Sequence, residues 1–167
     1  MQDLPFTLLD VFANEPYAGN QLAVFKNAGD LPAEIMQKIA REINFSETTF
    51  ICSGKQADES YSVRIFTPNE EIPFAGHPTL GTAYVIQDEI ELEPQSTIKL
   101  NLKVGHIPVS FPDGKDDALW MRQREPEFGE VLSLDSILSL TNLSKNAFLP
   151  HYPMQIVSTG LPCVIVP

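Results

Sequence analysis

The segment "HPTLGTAYVIQDE", residues 77–89, constrains the fold more than any other part of the sequence. Pro78 fixes φ near the helical value and lacks an N–H that the first turn would leave unpaired, so the segment is predicted to be a helix with His77 at its cap. Residues 80–86 give this helix no polar face. A helix that is apolar on every side is surrounded by protein. We therefore predict that a sheet curls around it.

The rest of the first 125 residues supplies the strands for such a sheet. Residues 97–111 predict a hairpin that turns near Gly105, because glycine readily takes the positive φ of a tight turn. Residues 112–117 have the composition of a turn. Alternating or apolar runs predict further strands at residues 6–12, 21–25, 48–52, 61–67 and 118–123.

Two more helices are predicted, which makes the fold class α+β. Residues 31–43 have apolar side chains at helical spacing and Pro32 near the first turn. Residues 133–143 have a similar pattern, with Ser133 as the N-cap. Residues 123–130 have the composition of a connecting loop.

The chain is predicted to contain one complete domain and the start of another. Residues 1–125 form the barrel domain, residues 126–155 a connecting segment with its helix, and residues 156–167 the start of a second domain. The similarity of "GNQLAVF" to "GLPCVIV" suggests that the unit restarts at this point.

The charge of the chain excludes several functions. Eleven basic residues against 22 acidic residues give a net charge of −11, which repels nucleic acids and anionic membrane surfaces. No apolar run approaches the length of a membrane span and the amino terminus has no basic leader, so we expect a cytoplasmic protein. Cys52 and Cys163 lie singly in apolar runs, which is typical of buried structural thiols, and we expect neither a disulfide nor a metal site.

The start of the predicted central helix is the first candidate functional site. Its first N–H groups lack intrahelical partners, and Gly76 lets a ligand approach that backbone closely. A substrate carboxylate would suit this position. Alternatively, Glu70, Glu71 or a water satisfies the helix start and His77 only caps it. The motif alone leaves both interpretations open.

Glu47 is the second candidate, in the stretch "REINFSETTF". It lies where the helix of residues 31–43 gives way to a strand. A carboxyl group that faces an apolar sheet is harder to ionise than one in water, and such a group can take and return a proton near neutral pH. The alternative is a solvated loop glutamate without a catalytic role.

Three blocks of sequence resemble one known family. These are "PFTLLDVFANEPYAGNQLAVF", "AREINFSETTFI" and "VRIFTPNEEIPFAGHPTLGTAYVI", with a further match in "QIVSTGLPCVIVP". In this order and at these separations they resemble the phenazine-biosynthesis isomerases, or PhzF-like proteins. The resemblance implies a fold like that of diaminopimelate epimerase, in which two similar domains each wrap a β-barrel around a central helix and the active site lies between them.

The resemblance also implies roles for individual residues. Glu47 would be the general acid/base that moves a proton between carbons of the substrate, and His77 would position or hydrogen-bond the substrate. No cofactor is implied. Related epimerases have a catalytic cysteine where this chain has Ala75, which favours the glutamate mechanism over two-cysteine racemase chemistry. The substrate-binding residues would be Asn20, Gly76, Pro78 and Thr79.

Taken together, these features predict a cofactor-independent isomerase for a small carboxylate-bearing metabolite. Members of the family usually carry a second domain, so we expect this chain to be a truncated form with little or no turnover alone. We expect a homodimer, or association with a second chain that carries the other domain. The alternative is a non-catalytic single-domain module that binds a partner or a small anion.

Overall fold

A curved sheet of eight strands forms most of the first of two units, Met1–Arg122 and Gln123–Pro167. The computed structural model describes residues 3–112, 118–149 and 151–167. The turn predicted at residues 112–117 therefore lies, apart from Pro112, outside the described residues. The strands of the first unit are β1 Phe6–Val11, β2 Asn20–Phe25, β3 Glu47–Ile51, β4 Ser60–Phe66, β5 Glu71–Ile72, β6 Thr97–Leu102, β7 Gly105–Ser110 and β8 Trp120–Met121.

The strands follow the order β1-β2-β3-β4-β6-β7-β8, and β5 pairs separately with β4. Two of the pairings, β2 with β3 and β4 with β6, are parallel, and the others are antiparallel. The predicted hairpin is confirmed as β6 and β7, with Gly105 at φ 104°. The last predicted strand is shorter than expected, since β8 covers only Trp120–Met121.

Helix α2, Gly76–Glu89, fills the concave side of this sheet. It contacts strands toward both ends of the path, β1, β2 and β3 on one side and β6, β7 and β8 on the other. Gly81 allows the close approach, because a Cβ at this position would lie 2.6 Å from Leu22 Cδ2 and 2.8 Å from Val11 Cγ2. The predicted fold class, an α+β sheet curled around a buried central helix, is confirmed.

One side of α2 is less buried than the sequence predicts. Ala83 and Val85 are buried and Leu80 is half-buried, but Tyr84 is 51% exposed. Tyr84 and Asp88, which is also exposed, lie four residues apart and so share one stripe of the helix. Among the described strands, β1 and β8 end the path without pairing with each other. The sheet therefore curls without closing and leaves this stripe uncovered.

Helix α1, Ala33–Ile43, packs on the convex side of the sheet. It buries Met36 and Ala40 against a second core that includes Phe25, Phe50 and Phe66. Pro32 is its N-cap, and Asn44 ends it in the left-handed conformation at φ 58°. The helix predicted at residues 31–43 is confirmed. No helix in the described parts of the chain has the length and apolar character needed to cross a membrane.

The second unit contains an antiparallel sheet of three strands, β9 Glu127–Leu132, β10 Met154–Ser158 and β11 Pro162–Ile165, in the order β11-β10-β9. Helix α3, Leu134–Leu140, begins, as predicted, after Ser133, whose side chain accepts a hydrogen bond from the Ser136 N–H. The loop predicted at residues 123–130 is wrong in part, because β9 starts at Glu127 and finds a partner in β10. Cys163 is exposed rather than buried. A short 3₁₀ helix, Lys145–Ala147, follows α3 along the chain.

The domain limits near residues 125 and 155 stay predictions. The two units reflect how this chain packs locally. The predicted domain that starts at residue 156 concerns a longer polypeptide, so the two units do not test it.

Gly81→Val tests the close contact between α2 and the sheet. The added side chain would overlap Leu22 and Val11, which are both buried. We expect the free energy of unfolding to fall by about 1–3 kcal/mol, as overpacked cores do, in a urea titration followed by circular dichroism. Gly54→Val is the matched control, because a Cβ at Gly54 meets nothing within 4 Å. Equal effects of the two substitutions would contradict the assigned role of Gly81.

Candidate active site

Strand alternation directs Glu47 toward the central helix. β2 and β3 are parallel, with Leu22 beside Glu47 and Val24 beside Thr49. Leu22 and Val24 belong to the core around α2, so their neighbours on β3 face the same way. Thr49 confirms this orientation, since its hydroxyl lies 2.8 Å from that of Thr82 on α2. Glu47 is therefore an inward-facing carboxylate rather than a solvated loop residue.

His77 meets Glu47 from the other side. It lies in the first turn of α2, and its Nδ1 is 3.4 Å from Glu47 Oε2. The side chains are 7% and 17% exposed, respectively. Two polar atoms, Glu47 Oε2 and His77 Nε2, are buried without a hydrogen-bond partner among the described residues. Buried polar atoms are normally paired, so these two are available to a ligand.

Asn20 joins the same group of side chains. It begins β2 on the face that carries Leu22, and its Nδ2 lies 3.3 Å from His77 Nδ1. Ser46 donates a hydrogen bond of 3.0 Å to Asn20 Oδ1. The sequence did not single out Ser46, although its position directly before Glu47 is a signal that could have identified it.

The N-cap of α2 lies two residues before the predicted position. Ala75, not His77, is the N-cap, and no side chain caps the helix. The extended conformation of Ala75, at φ −154° and ψ 151°, lets Gly76 begin the helix, so His77 becomes its second residue. Glu71 does not supply a cap, because it accepts hydrogen bonds from Arg64 and from Lys103.

The remaining predicted site residues, Gly76, Pro78 and Thr79, lie in the first turn of α2. Pro78 is buried and has no N–H to offer. Thr79 is also buried, and its hydroxyl donates to the carbonyl of Ala75 at 2.7 Å. Within the described parts of the chain, a Cβ at Gly76 would meet only Met121 Cε, at 3.9 Å. The space before the helix is thus reached most easily at Gly76.

Phe12 lies at the edge of this group, and the sequence carries no signal for it. It follows β1 with φ 64° and is 72% exposed. Its ring centroid lies 6.5 Å from that of His77. Phe12 is therefore an aromatic side chain beside the catalytic candidates that is free to cover a ligand.

Burial lowers the pKa of His77 below its ordinary value. The Glu47 carboxylate and the nearby main chain of Gln21 act in the opposite direction but do not overcome burial. His77 is therefore a neutral imidazole at neutral pH.

Two surface clefts lie elsewhere on the first unit. One, of about 530 Å³, is lined by Gln21 and Phe45 among others. Gln21 follows Asn20 in β2, so its side chain faces the opposite side of the sheet. The other, of about 650 Å³, is lined by Lys26 and Glu89, at the opposite end of α2 from His77. Neither cleft contains Glu47 or His77. Within the described ranges, no three histidine, cysteine or acidic side chains are grouped as metal ligands would be.

The low pKa of His77 predicts how stability depends on pH. Between the folded pKa and the ordinary value of about 6.5, the unfolded chain binds more protons than the folded chain. The stability that neutral His77 confers is then complete above about pH 6.5 and is lost as pH falls toward the folded pKa. We expect the difference in unfolding free energy between the wild type and His77→Gln to shrink over this window, measured by urea titration at a series of pH values.

The titration of His77 itself provides the direct check. Its ring proton signals in NMR spectra should shift at a pH below the ordinary histidine value. A midpoint above that value would show that Glu47, rather than burial, controls the imidazole.

Comparison with known proteins identifies the family. The sequence profile of the phenazine biosynthesis-like (PhzC-PhzF) proteins matches residues 9–167. Two curated relatives named trans-2,3-dihydro-3-hydroxyanthranilate isomerase come from Pseudomonas fluorescens, 49% identical over 164 residues, and Pseudomonas aeruginosa, 36% identical over 157 residues. The matches cover 95% and 93% of this chain but 58% and 54% of the relatives, so the chain spans little more than half their length.

A solved structure gives the same assignment. It is described as a predicted epimerase from Pseudomonas aeruginosa, and it matches 99% of this chain and 59% of its own at a TM-score of 0.83 with 32% identity. From the family profile and these relatives we conclude that the chain belongs to the phenazine biosynthesis-like, or PhzF-like, family.

Proposed function

We propose that this chain carries the acid/base part of a cofactor-independent isomerase that moves a proton between carbons of a small carboxylate-bearing metabolite. Glu47 is the general acid/base, and His77 orients the substrate. The proposal goes beyond the family assignment, which supports an isomerase without naming the reaction of this chain.

One observation carries the proposal. Among the described residues, Glu47 Oε2 and His77 Nε2 are both buried without a hydrogen-bond partner, and the two side chains approach within 3.4 Å of each other at the start of α2. A buried carboxylate that lacks a hydrogen bond is costly unless a ligand compensates for it. In a purely structural role, both atoms would be expected to have protein partners.

The proton transfer needs only Glu47. Its carboxylate takes a proton from one substrate carbon, the C–H electron pair shifts into the adjacent unsaturated system, and the carboxylic acid returns the proton to another carbon. Nothing is oxidised or reduced, and the substrate leaves with the same composition. Because the carboxyl group of Glu47 is screened from water, it can hold the proton between the two steps.

The start of α2 supplies the binding interaction for the substrate carboxylate. The main-chain N–H groups of Gly76 and His77 lie at the positive end of the helix and have no side-chain cap. A carboxylate at this position would lie near both Glu47 and His77. The curated relatives from Pseudomonas are named for a carboxylate substrate, trans-2,3-dihydro-3-hydroxyanthranilate, and we propose the same class of molecule for this protein.

The positions of the cysteines argue against racemase chemistry based on two thiols. Ala75, where the related epimerases have a cysteine, is the N-cap of α2. Cys52 packs beside the core under α1, where its thiol donates to the Phe50 carbonyl at 3.4 Å. Burial also raises the pKa of Cys52, which reduces its thiolate form.

We propose that the 167-residue chain alone completes the isomerisation slowly or not at all, although its Glu47 still exchanges a substrate proton with solvent. The relatives are nearly twice as long as their matched regions, and the additional length offers further groups to position a substrate. Accurate positioning accounts for a large share of enzymatic rate. The homodimer, or a complex with a second chain, stays a prediction.

Deuterium exchange from solvent into the substrate, measured with the protein in excess of the substrate, tests the role of Glu47. In deuterium oxide, trans-2,3-dihydro-3-hydroxyanthranilate should take up deuterium at carbon faster with the chain than in buffer. Glu47→Gln keeps the shape of the side chain but removes its proton-carrying group, so exchange should fall by about 10²–10⁴-fold. Mass spectrometry and NMR follow the label.

Glu70→Gln is the control, since Glu70 is exposed and its side chain makes no hydrogen bond among the described residues. This variant should exchange at the wild-type rate. Exchange that survives Glu47→Gln, or a wild-type rate equal to that of buffer, would contradict the proposed acid/base role.

A further inference from the structure

A row of three side chains leads from the surface to the buried histidine. Ser46 Oγ donates to Asn20 Oδ1 at 3.0 Å, and Asn20 Nδ2 lies 3.3 Å from His77 Nδ1. Ser46 is exposed, whereas His77 is buried. The parallel pairing of β2 with β3 brings Ser46 and Asn20 together, because these residues precede or begin adjacent strands at the same end of the sheet.

The amide of Asn20 has its oxygen toward Ser46 and its nitrogen toward the imidazole. An amide oxygen only accepts hydrogen bonds, and an amide nitrogen only donates them. In this orientation Ser46 donates to the oxygen, and the nitrogen faces the imidazole. His77 Nδ1 must then act as the acceptor, since an N–H at that position would point at the N–H₂ group of Asn20.

We propose that Ser46 is a positioning residue that, through Asn20, holds His77 in the tautomer with its proton on Nε2. A neutral imidazole carries a single proton, so acceptance at Nδ1 assigns that proton to Nε2. The burial that keeps His77 neutral supports this assignment.

The consequence for Glu47 rests on the proposed function, whereas the tautomer itself does not. Nδ1 presents a lone pair 3.4 Å from Glu47 Oε2. That lone pair is engaged by Asn20 Nδ2 and offers no N–H to the Glu47 carboxylate, so it does not favour the ionised form over the carboxylic acid, the state between taking and returning a proton. The opposite tautomer would present an N–H and stabilise the carboxylate instead. Nε2, buried and unpaired, would donate to the substrate.

The tautomer can be read directly by NMR. In ¹⁵N-labelled protein, long-range correlations from the ring protons of His77 distinguish a protonated nitrogen from one with a lone pair, at a pH above the ordinary histidine pKa of about 6.5. The wild type should show the proton on Nε2. Ser46→Ala should give a mixture of the two tautomers, and Ser46→Thr should restore the wild-type pattern.

Asn20→Asp provides the opposite test, because a carboxylate can only accept and should move the proton to Nδ1. Ser53→Ala is the control, since Ser53 follows the other end of β3, where its hydroxyl accepts from the Ser62 N–H, and it should leave His77 unchanged. A wild-type proton on Nδ1, or an unchanged spectrum in Ser46→Ala, would overturn the proposal.

The exchange assay separates this proposal from the proposed function. Ser46→Ala should slow deuterium uptake by about two- to tenfold, the effect of one net hydrogen bond, and Ser46→Thr should recover the rate. A shifted tautomer with an unchanged rate would overturn the link to Glu47. Exchange that does not depend on Glu47 would overturn the function and leave the tautomer assignment intact.

Discussion

The burial of helix α2 is the constraint on which the rest of the first unit depends. An apolar helix of fourteen residues must be covered, and the small residue Gly81 lets Leu22 and Val11 pack directly against it. The sheet curls to provide that cover. Because both faces of β2 and β3 are then in contact with a helix, their alternating side chains divide between a core around α2 and a core under α1.

The same arrangement creates the site. A helix buried along its length still leaves its first N–H groups unpaired, and the sheet places the starts of β2 and β3 beside them. Asn20 and Glu47 therefore converge on His77 without any long loop to position them. Rigid strands and a helix terminus hold all three groups, which suits the proposed proton transfer, because such a step depends on accurate geometry.

The sequence predicts the elements well because apolar periodicity reports burial directly. It predicts α2, α1 and most of the strands, and it identifies Glu47 and His77 as candidates. It places the helix cap wrongly because Pro78 is compatible with any position in the first turn. It overestimates the burial of Tyr84 because periodicity does not reveal whether a sheet closes. Ser46 and Phe12 were missed because their positions near His77 arise from pairing across the sheet and from a backbone conformation.

Binding of a non-reactive carboxylate tests most directly whether the start of α2 and Glu47 form one site. Anthranilate, added to ¹⁵N-labelled protein, should shift the amide signals of Gly76 and His77 most strongly and leave that of Gly54, in the loop after β3, unchanged. Saturation at these two amides would support a carboxylate site at the helix start. Shifts confined to other regions, or none at millimolar anthranilate, would contradict the account.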